Sequence, residues 1–225
     1  MYKEGFKSAL PIVLGYLPIG IAYGLISVNG GMTIAQTVAM SLVLYAGSAQ
    51  FIASGMINAG ASPLSIISTV FMVNLRHLLY SASLSKYFKP IPRRSIPMLS
   101  FFITDESYGV SITELENGQQ PTRAYFLGLF ITAYLGWVIS SLIGALSGQA
   151  IGRNINLGLD FTLPAMYIAL LMMQLKGWHK AVIALFSGML SVALIFIIPG
   201  NGNVIISAVA GAALGVLFNR WTKIS

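Results

Sequence analysis

The chain contains no cysteine, so disulfides, thiolate nucleophiles and thiolate-bound metals are excluded. Its two histidines, His77 and His179, are far apart and do not make a transition-metal site, and no cofactor is expected. It has no Gly-x-x-x-x-Gly-Lys-[Ser/Thr] segment, so no ATP site is expected on this chain. A nucleophile needs a base within reach, and Ser48 with His77 lacks any supporting motif, so the reading is not an enzyme. The chain is also short of charge. Only 8% of its 225 residues are charged, whereas a soluble domain carries roughly 25%. So few charges cannot cover a surface in water.

What the chain has in abundance is apolar surface, at 56% hydrophobic residues and a mean hydropathy of +0.79. The apolar runs are continuous rather than alternating, which argues for membrane helices and against a barrel. At about 20 residues per span, the length suits an all-α membrane protein, a single polytopic bundle of about seven or eight transmembrane helices in one domain, 1–225. The net charge of +7 reads as Lys and Arg at span ends, and no nucleic acid is expected as a partner. The N-terminal segment lacks a short apolar region with a small-residue cleavage site and is expected to persist as the first helix.

The spans are expected near 5–28, 33–58, 63–84, 95–113, 123–146, 160–175, 181–198 and 204–218. Pro18 in span 1 predicts a kink or break. Ala46-Gly47-Ser48-Ala49-Gln50-Phe51 puts small and polar residues in the middle of span 2. That predicts a second break, or a re-entrant point, near Gly47, tolerable only where protein or a wet cavity surrounds it. Asp160 reads as an N-cap, and Met172-Met173 as apolar filler. Orientation stays open. The basic loop Lys86–Arg94 argues for the cytoplasmic side, yet counting from an N-inside start puts it opposite Lys176, Lys180, Arg220 and Lys223.

Arg76, His77, Asp105 and Glu106 are ionisable residues deep inside spans, and they organise the functional reading. Arg76 lies ten residues before Lys86, and Asp105 eleven after Arg94. At about 1.5 Å per helical residue, both sit roughly 15 Å from the same loop. Spans 3 and 4 as an antiparallel hairpin therefore bring them together near the bilayer middle. Each charge alone would cost about 2.5–3.5 kcal/mol there. Glu106 is a second carboxylate that one arginine does not easily serve, because adjacent helix positions point about 100° apart. The surplus carboxylate suits a proton or a substrate ammonium. Candidate substrate-binding residues are Gly47, Ser48, Gln50, Asn74, Arg76, Asp105 and Glu106. Candidate proton carriers are His77, Glu106 and Asp105. The alternative is a non-transporting scaffold subunit whose Arg76–Asp105 pair is purely structural.

The chain resembles the AzlC-type large subunits of bacterial branched-chain amino-acid exporters. The resemblance rests on Pro18-x-Gly20-x-Ala22-x-Gly24, Ala46-Gly47-Ser48-Ala49-Gln50-Phe51, Asn74-Leu75-Arg76-His77-Leu78-Leu79-Tyr80, Thr104-Asp105-Glu106 and Leu159-Asp160-Phe161-x-x-Pro164-Ala165. It departs from the pattern at Met172-Met173-Gln174. The resemblance implies export of leucine, isoleucine and valine, with methionine a further candidate, across the bacterial cytoplasmic membrane. It also implies a small AzlD-type membrane subunit as partner.

Overall fold

The computed structural model describes residues 1–151, 168, 171, 172, 175, 178–197 and 202–221. The chain forms two compact units, Met1–Thr162 and Leu163–Ser225. The first contains α1 (Tyr2–Asn29), α2 (Ile34–Val43), α3 (Gly47–Asn58), α4 (Pro63–Asn74), α5 (Arg76–Ser85), a 3-10 turn (Arg93–Ser95), α6 (Ile96–Phe101), α7 (Asp105–Glu116) and α8 (Arg123–Ile151).

The long helices α1 and α8 lie side by side along almost their whole length, because small residues let their backbones meet. A Cβ added to Gly5 would sit 2.0 Å from the Tyr125 carbonyl, one on Gly128 2.3 Å from that of Tyr2, and one on Gly144 2.0 Å from that of Ile21. Gly20 faces Ser140, and Gly24 faces the Ser141 carbonyl. Contact positions rise together in both helices, so α1 and α8 run parallel. Pro11 and Pro18 both lie inside the continuous helix α1. The break anticipated as one outcome at Pro18 therefore does not occur.

Span 2 does break near Gly47, and the break reverses the chain. The Tyr23 hydroxyl donates to the Thr37 carbonyl, and the Tyr134 hydroxyl to that of Leu42, so α2 descends from the Gly30 end toward mid-height. From Gly47, which lies against Trp137, α3 climbs back. The Ser54 hydroxyl donates to Ser27 Oγ, and Asn58 finishes against Gly30. The pair α2–α3 is thus a hairpin that enters and leaves at the Gly30 end.

Helices α4 and α5 then run from the Gly30 end to the Tyr2 end, where Phe88 meets Phe126 edge-on at 5.0 Å. They are separated only at Leu75. From there α6 rises until Phe102 packs on Tyr134. Helix α7 falls back: Thr104 and Glu106 meet Tyr16, and Gln119 reaches Glu4. Span 4 is therefore also a hairpin rather than a crossing. Its turn is fixed by Thr104, whose hydroxyl accepts from the Ser107 N–H while Ser107 Oγ accepts from the Thr104 N–H. Among the described residues, the helices long and apolar enough to cross a membrane are Tyr2–Asn29, Pro63–Phe88 and Arg123–Ala150. The five crossings expected over residues 5–146 are thus three crossings and two half-depth hairpins.

The arrangement is an inverted repeat. A crossing helix followed by a hairpin at the end it has just reached occurs twice, in opposite directions. An offset of 57 residues carries the ring pair Tyr23–Phe51 onto Tyr80–Tyr108, and Tyr45 onto Phe102.

The second unit holds α9 (Trp178–Leu194) and α10 (Gly202–Trp221), corresponding to the expected spans 7 and 8. They pack through Gly211, whose added Cβ would lie 2.0 Å from Ser187 Oγ, and through Asn203, which donates to the Ser191 carbonyl at 3.2 Å. Asp160, Pro164, Met173 and most of expected span 6 lie outside the described residues, as do Arg153, Asn154, Asn156, Lys176 and Lys223.

Candidate binding site between two hairpin tips

Both hairpins turn at mid-height, so the starts of α3 and α7 face the same region from opposite ends. The start of α5 lies there too. Each start presents backbone N–H groups that have no partner one turn back in the helix. Charged and polar side chains from all three gather here.

Arg76, the first residue of α5, joins the two tips. Its Nη1 lies 2.6 Å from Asp105 Oδ2 on the α7 tip, and its Nη2 donates to Ser48 Oγ on the α3 tip. The expected pair of Arg76 with Asp105 is formed, on a hairpin tip rather than between two crossing helices. Glu106 points elsewhere, as its position one residue along a helix requires. It accepts from the Tyr16 hydroxyl at 2.9 Å, and that hydroxyl lies 2.8 Å from Thr104 Oγ1. With Arg76 balanced by Asp105, the cluster of Arg76, Asp105 and Glu106 has a net charge of −1.

The wall beside this cluster is aromatic. Trp137 of α8 meets Tyr16 edge-on at 5.1 Å and stacks on Tyr23 at 6.1 Å. Tyr45, on the α2–α3 turn, continues the wall to Tyr134 and Phe102. The indole N–H of Trp137 donates to Gln50 Oε1 at 2.7 Å. Gly47 is required beneath it, since an added Cβ would lie 2.8 Å from Trp137 Cη2. Below Glu106 a cleft of about 430 Å³ runs between α1 and α7 toward the Tyr2 end, lined by Pro11, Gly109 and Glu114 among others.

The structure thus brings Gly47, Ser48, Gln50, Arg76, Asp105 and Glu106 to one place. Asn74 ends α4, and its Oδ1 is buried without a hydrogen-bond partner. His77 lies against Tyr80, with ring centroids 5.9 Å apart, and its Nε2 is buried without a hydrogen-bond partner. Sequence reasoning missed Tyr16, Tyr45, Thr104 and Trp137. Two signals were present. Trp and Tyr in membrane helices favour the interfaces, so Trp137 and Tyr16 at mid-helix are out of place. Thr104 followed by two acids also has the form of a helix start.

The family model described as AzlC protein matches residues 11–151, which takes in the entire two-hairpin unit from mid-α1 to the end of α8. The chain belongs to the AzlC family. Among curated relatives, the inner membrane protein YgaZ of Escherichia coli (strain K12) is 29% identical over 96% of this chain and 88% of its own length. The branched-chain amino acid transport protein AzlC of Bacillus subtilis (strain 168) is 28% identical over 96% and 84%. An uncharacterized membrane protein of Archaeoglobus fulgidus is 31% identical over 98% and 95%. No solved structure matches. Every site residue described above lies within the segment that the AzlC model matches. The AzlC relatives are named as membrane proteins or as a transport protein, in keeping with the apolar crossing helices seen here.

Proposed function

We propose that the chain is the transport subunit of a branched-chain amino-acid exporter in the bacterial cytoplasmic membrane, working with a small AzlD-type membrane partner and driven by proton entry. The name of the Bacillus subtilis relative supports the substrate class. The observation that carries the reading is the surplus carboxylate. Glu106 sits at the meeting point of two hairpin tips with Tyr16 as its donor and, among the described residues, no paired cation. Ionisable groups at such depth mark solute or ion paths, and inverted repeats place substrate sites at the repeat interface.

In this mechanism the substrate ammonium meets Glu106. Its carboxylate lies toward Arg76 or the N–H groups that open α3. Its apolar side chain rests on the Tyr16–Trp137–Tyr45 wall. Leucine, isoleucine and valine fit that description, and methionine does too. A proton taken by Glu106 after the amino acid leaves would reset the site.

The test is efflux of labelled leucine from preloaded cells expressing the chain with its small partner. Glu106→Ala should stop efflux while the protein remains in the membrane, and unchanged efflux would defeat the reading. The scaffold alternative is separated by the swap Arg76→Asp with Asp105→Arg. Restored assembly without flux supports the site, whereas restoration of both supports a structural pair.

A further inference from the structure

Resting on that reading, we infer that the substrate carboxylate is held at the start of α3 by the Gln50 amide and the first-turn N–H groups, with Trp137 as the positioning residue, and not by Arg76. Three observations converge on it.

The first is that Gln50 is held in one orientation. An indole N–H can only donate, and Trp137 Nε1 lies 2.7 Å from the Gln50 amide. The amide oxygen must face the indole, because the flipped amide would set donor against donor. The NH2 group is therefore turned away from Trp137. Gln50 is 0% exposed, and its Nε2 has no hydrogen-bond partner. Buried donors are almost always satisfied, so this one awaits an acceptor.

The second is the helix start itself. Helix side chains lean toward the N-terminus, so Gln50 in the first turn of α3 leans back over Gly47. Ala46, the N-cap, supplies no side-chain hydrogen bond. Backbone bonding in this turn begins with the Gln50 N–H to the Ala46 carbonyl. Among the described residues, the N–H groups of Gly47, Ser48 and Ala49 have no acceptor. The start of α7 differs, because Thr104 caps it. Of the two hairpin tips, the uncapped one is thus the one with the free amide donor beside it. A carboxylate has two oxygens, which suit one side-chain NH2 and one backbone N–H together.

The third is that both terminal nitrogens of Arg76 are already engaged, Nη1 with Asp105 and Nη2 with Ser48, which leaves only its Nε without a partner. Its charge is balanced, and it ties the two tips together. Gly47 completes the device: it lets Trp137 pack close enough over the first turn to reach Gln50. The acceptor is then an amino-acid carboxylate on the α3 tip, with Glu106 on the opposing tip for the ammonium.

The experiment compares efflux of leucine with that of leucinamide, which keeps the ammonium and side chain but lacks the carboxylate. Gln50→Glu is nearly isosteric and retains an oxygen for Trp137 while replacing the NH2 with a second oxygen. It should raise KM for leucine about tenfold and lower the leucine-to-leucinamide preference by a similar factor, as expected when a site loses a donor to a substrate group. Trp137→Phe removes the donor that fixes the amide. It should raise KM for leucine with maximal efflux kept, whereas a purely structural loss would lower maximal efflux of both substrates alike. If Trp137→Phe fails to reach the membrane, Gln50→Glu still decides. A leucine-to-leucinamide preference unchanged in Gln50→Glu overturns the inference while leaving the proposed function standing. A parent protein that moves neither compound overturns both.

Discussion

Glu106 and its neighbour Asp105 show how one residue of spacing separates two roles. Asp105 meets the guanidinium of Arg76 at 2.6 Å, and Glu106 meets the phenol of Tyr16 at 2.9 Å. Glu106→Gln keeps an acceptor for Tyr16 but removes the charge that meets the ammonium and titrates, so efflux should be slower. The expected outcome is efflux that no longer responds to an imposed pH gradient, read as labelled leucine flux with acid outside against neutral pH on both sides. Tyr16→Phe should weaken flux but keep the response to pH, since the carboxylate remains. Removing Arg76 alone should destabilise more than either. An uncompensated buried acid costs about 3–5 kcal/mol, whereas replacing both partners with apolar residues is often tolerated. Melting of the purified protein in detergent, comparing Arg76→Leu with the double Arg76→Leu, Asp105→Leu variant, checks that ordering. The charges were legible in the sequence because Arg and Asp in an apolar run have few physical excuses. Tyr16 and Trp137 were not, because an aromatic side chain in a greasy helix looks like ordinary apolar content until its hydrogen bond is seen.

Elements were legible where a residue type forces the local chain and hidden where packing decides. Gly47 after Ala46 marked the first hairpin tip, and Ser62-Pro63 marked the start of α4, where Ser62 Oγ accepts from the Ser65 N–H. The interruption at Leu75 carries no glycine or proline and could not be read. Pro18 misled in part: α1 runs on through it, packed against α8 along nearly its full length. That packing makes a sharp prediction. Gly144→Ala would set a Cβ 2.0 Å from the Ile21 carbonyl, whereas Gly15→Ala meets nothing within 4 Å. Overpacking of this kind costs about 1–3 kcal/mol, while Ala in place of an open helical Gly gains up to about 1 kcal/mol. Gly144→Ala should therefore melt lower in detergent than the parent, and Gly15→Ala at the same temperature or higher.

At the scale of the first unit, the two hairpins bring together basic segments that counting spans sets apart. If residues 33–58 and 95–113 crossed the membrane, the loop at 59–62 would lie opposite the turn at 30–33, and the basic loop at 86–94 opposite the N-terminus. With both folded as hairpins, 30–33 and 59–62 share the Gly30 end. Lys3, Lys7, Lys86, Lys89, Arg93, Arg94 and Arg123 then all share the Tyr2 end, and no Lys or Arg occurs at 30–33 or 59–62. Excess basic charge in short loops marks the cytoplasmic side, which predicts that the Tyr2 end, with the cleft below Glu106, faces the cytoplasm. Because the chain has no cysteine, single cysteines can be placed without background. In intact cells, a membrane-impermeant maleimide should label Ala59→Cys and spare Lys89→Cys and Gln120→Cys, which should react only once the cytoplasmic face is opened. Lys89 and Gln120 are the decisive pair, since the hairpin arrangement puts them on one side and the crossing arrangement on opposite sides. Labelling of Lys89→Cys from outside, with Ala59→Cys and Gln120→Cys both protected, would restore the crossing arrangement and remove the facing hairpin tips on which the binding site is built.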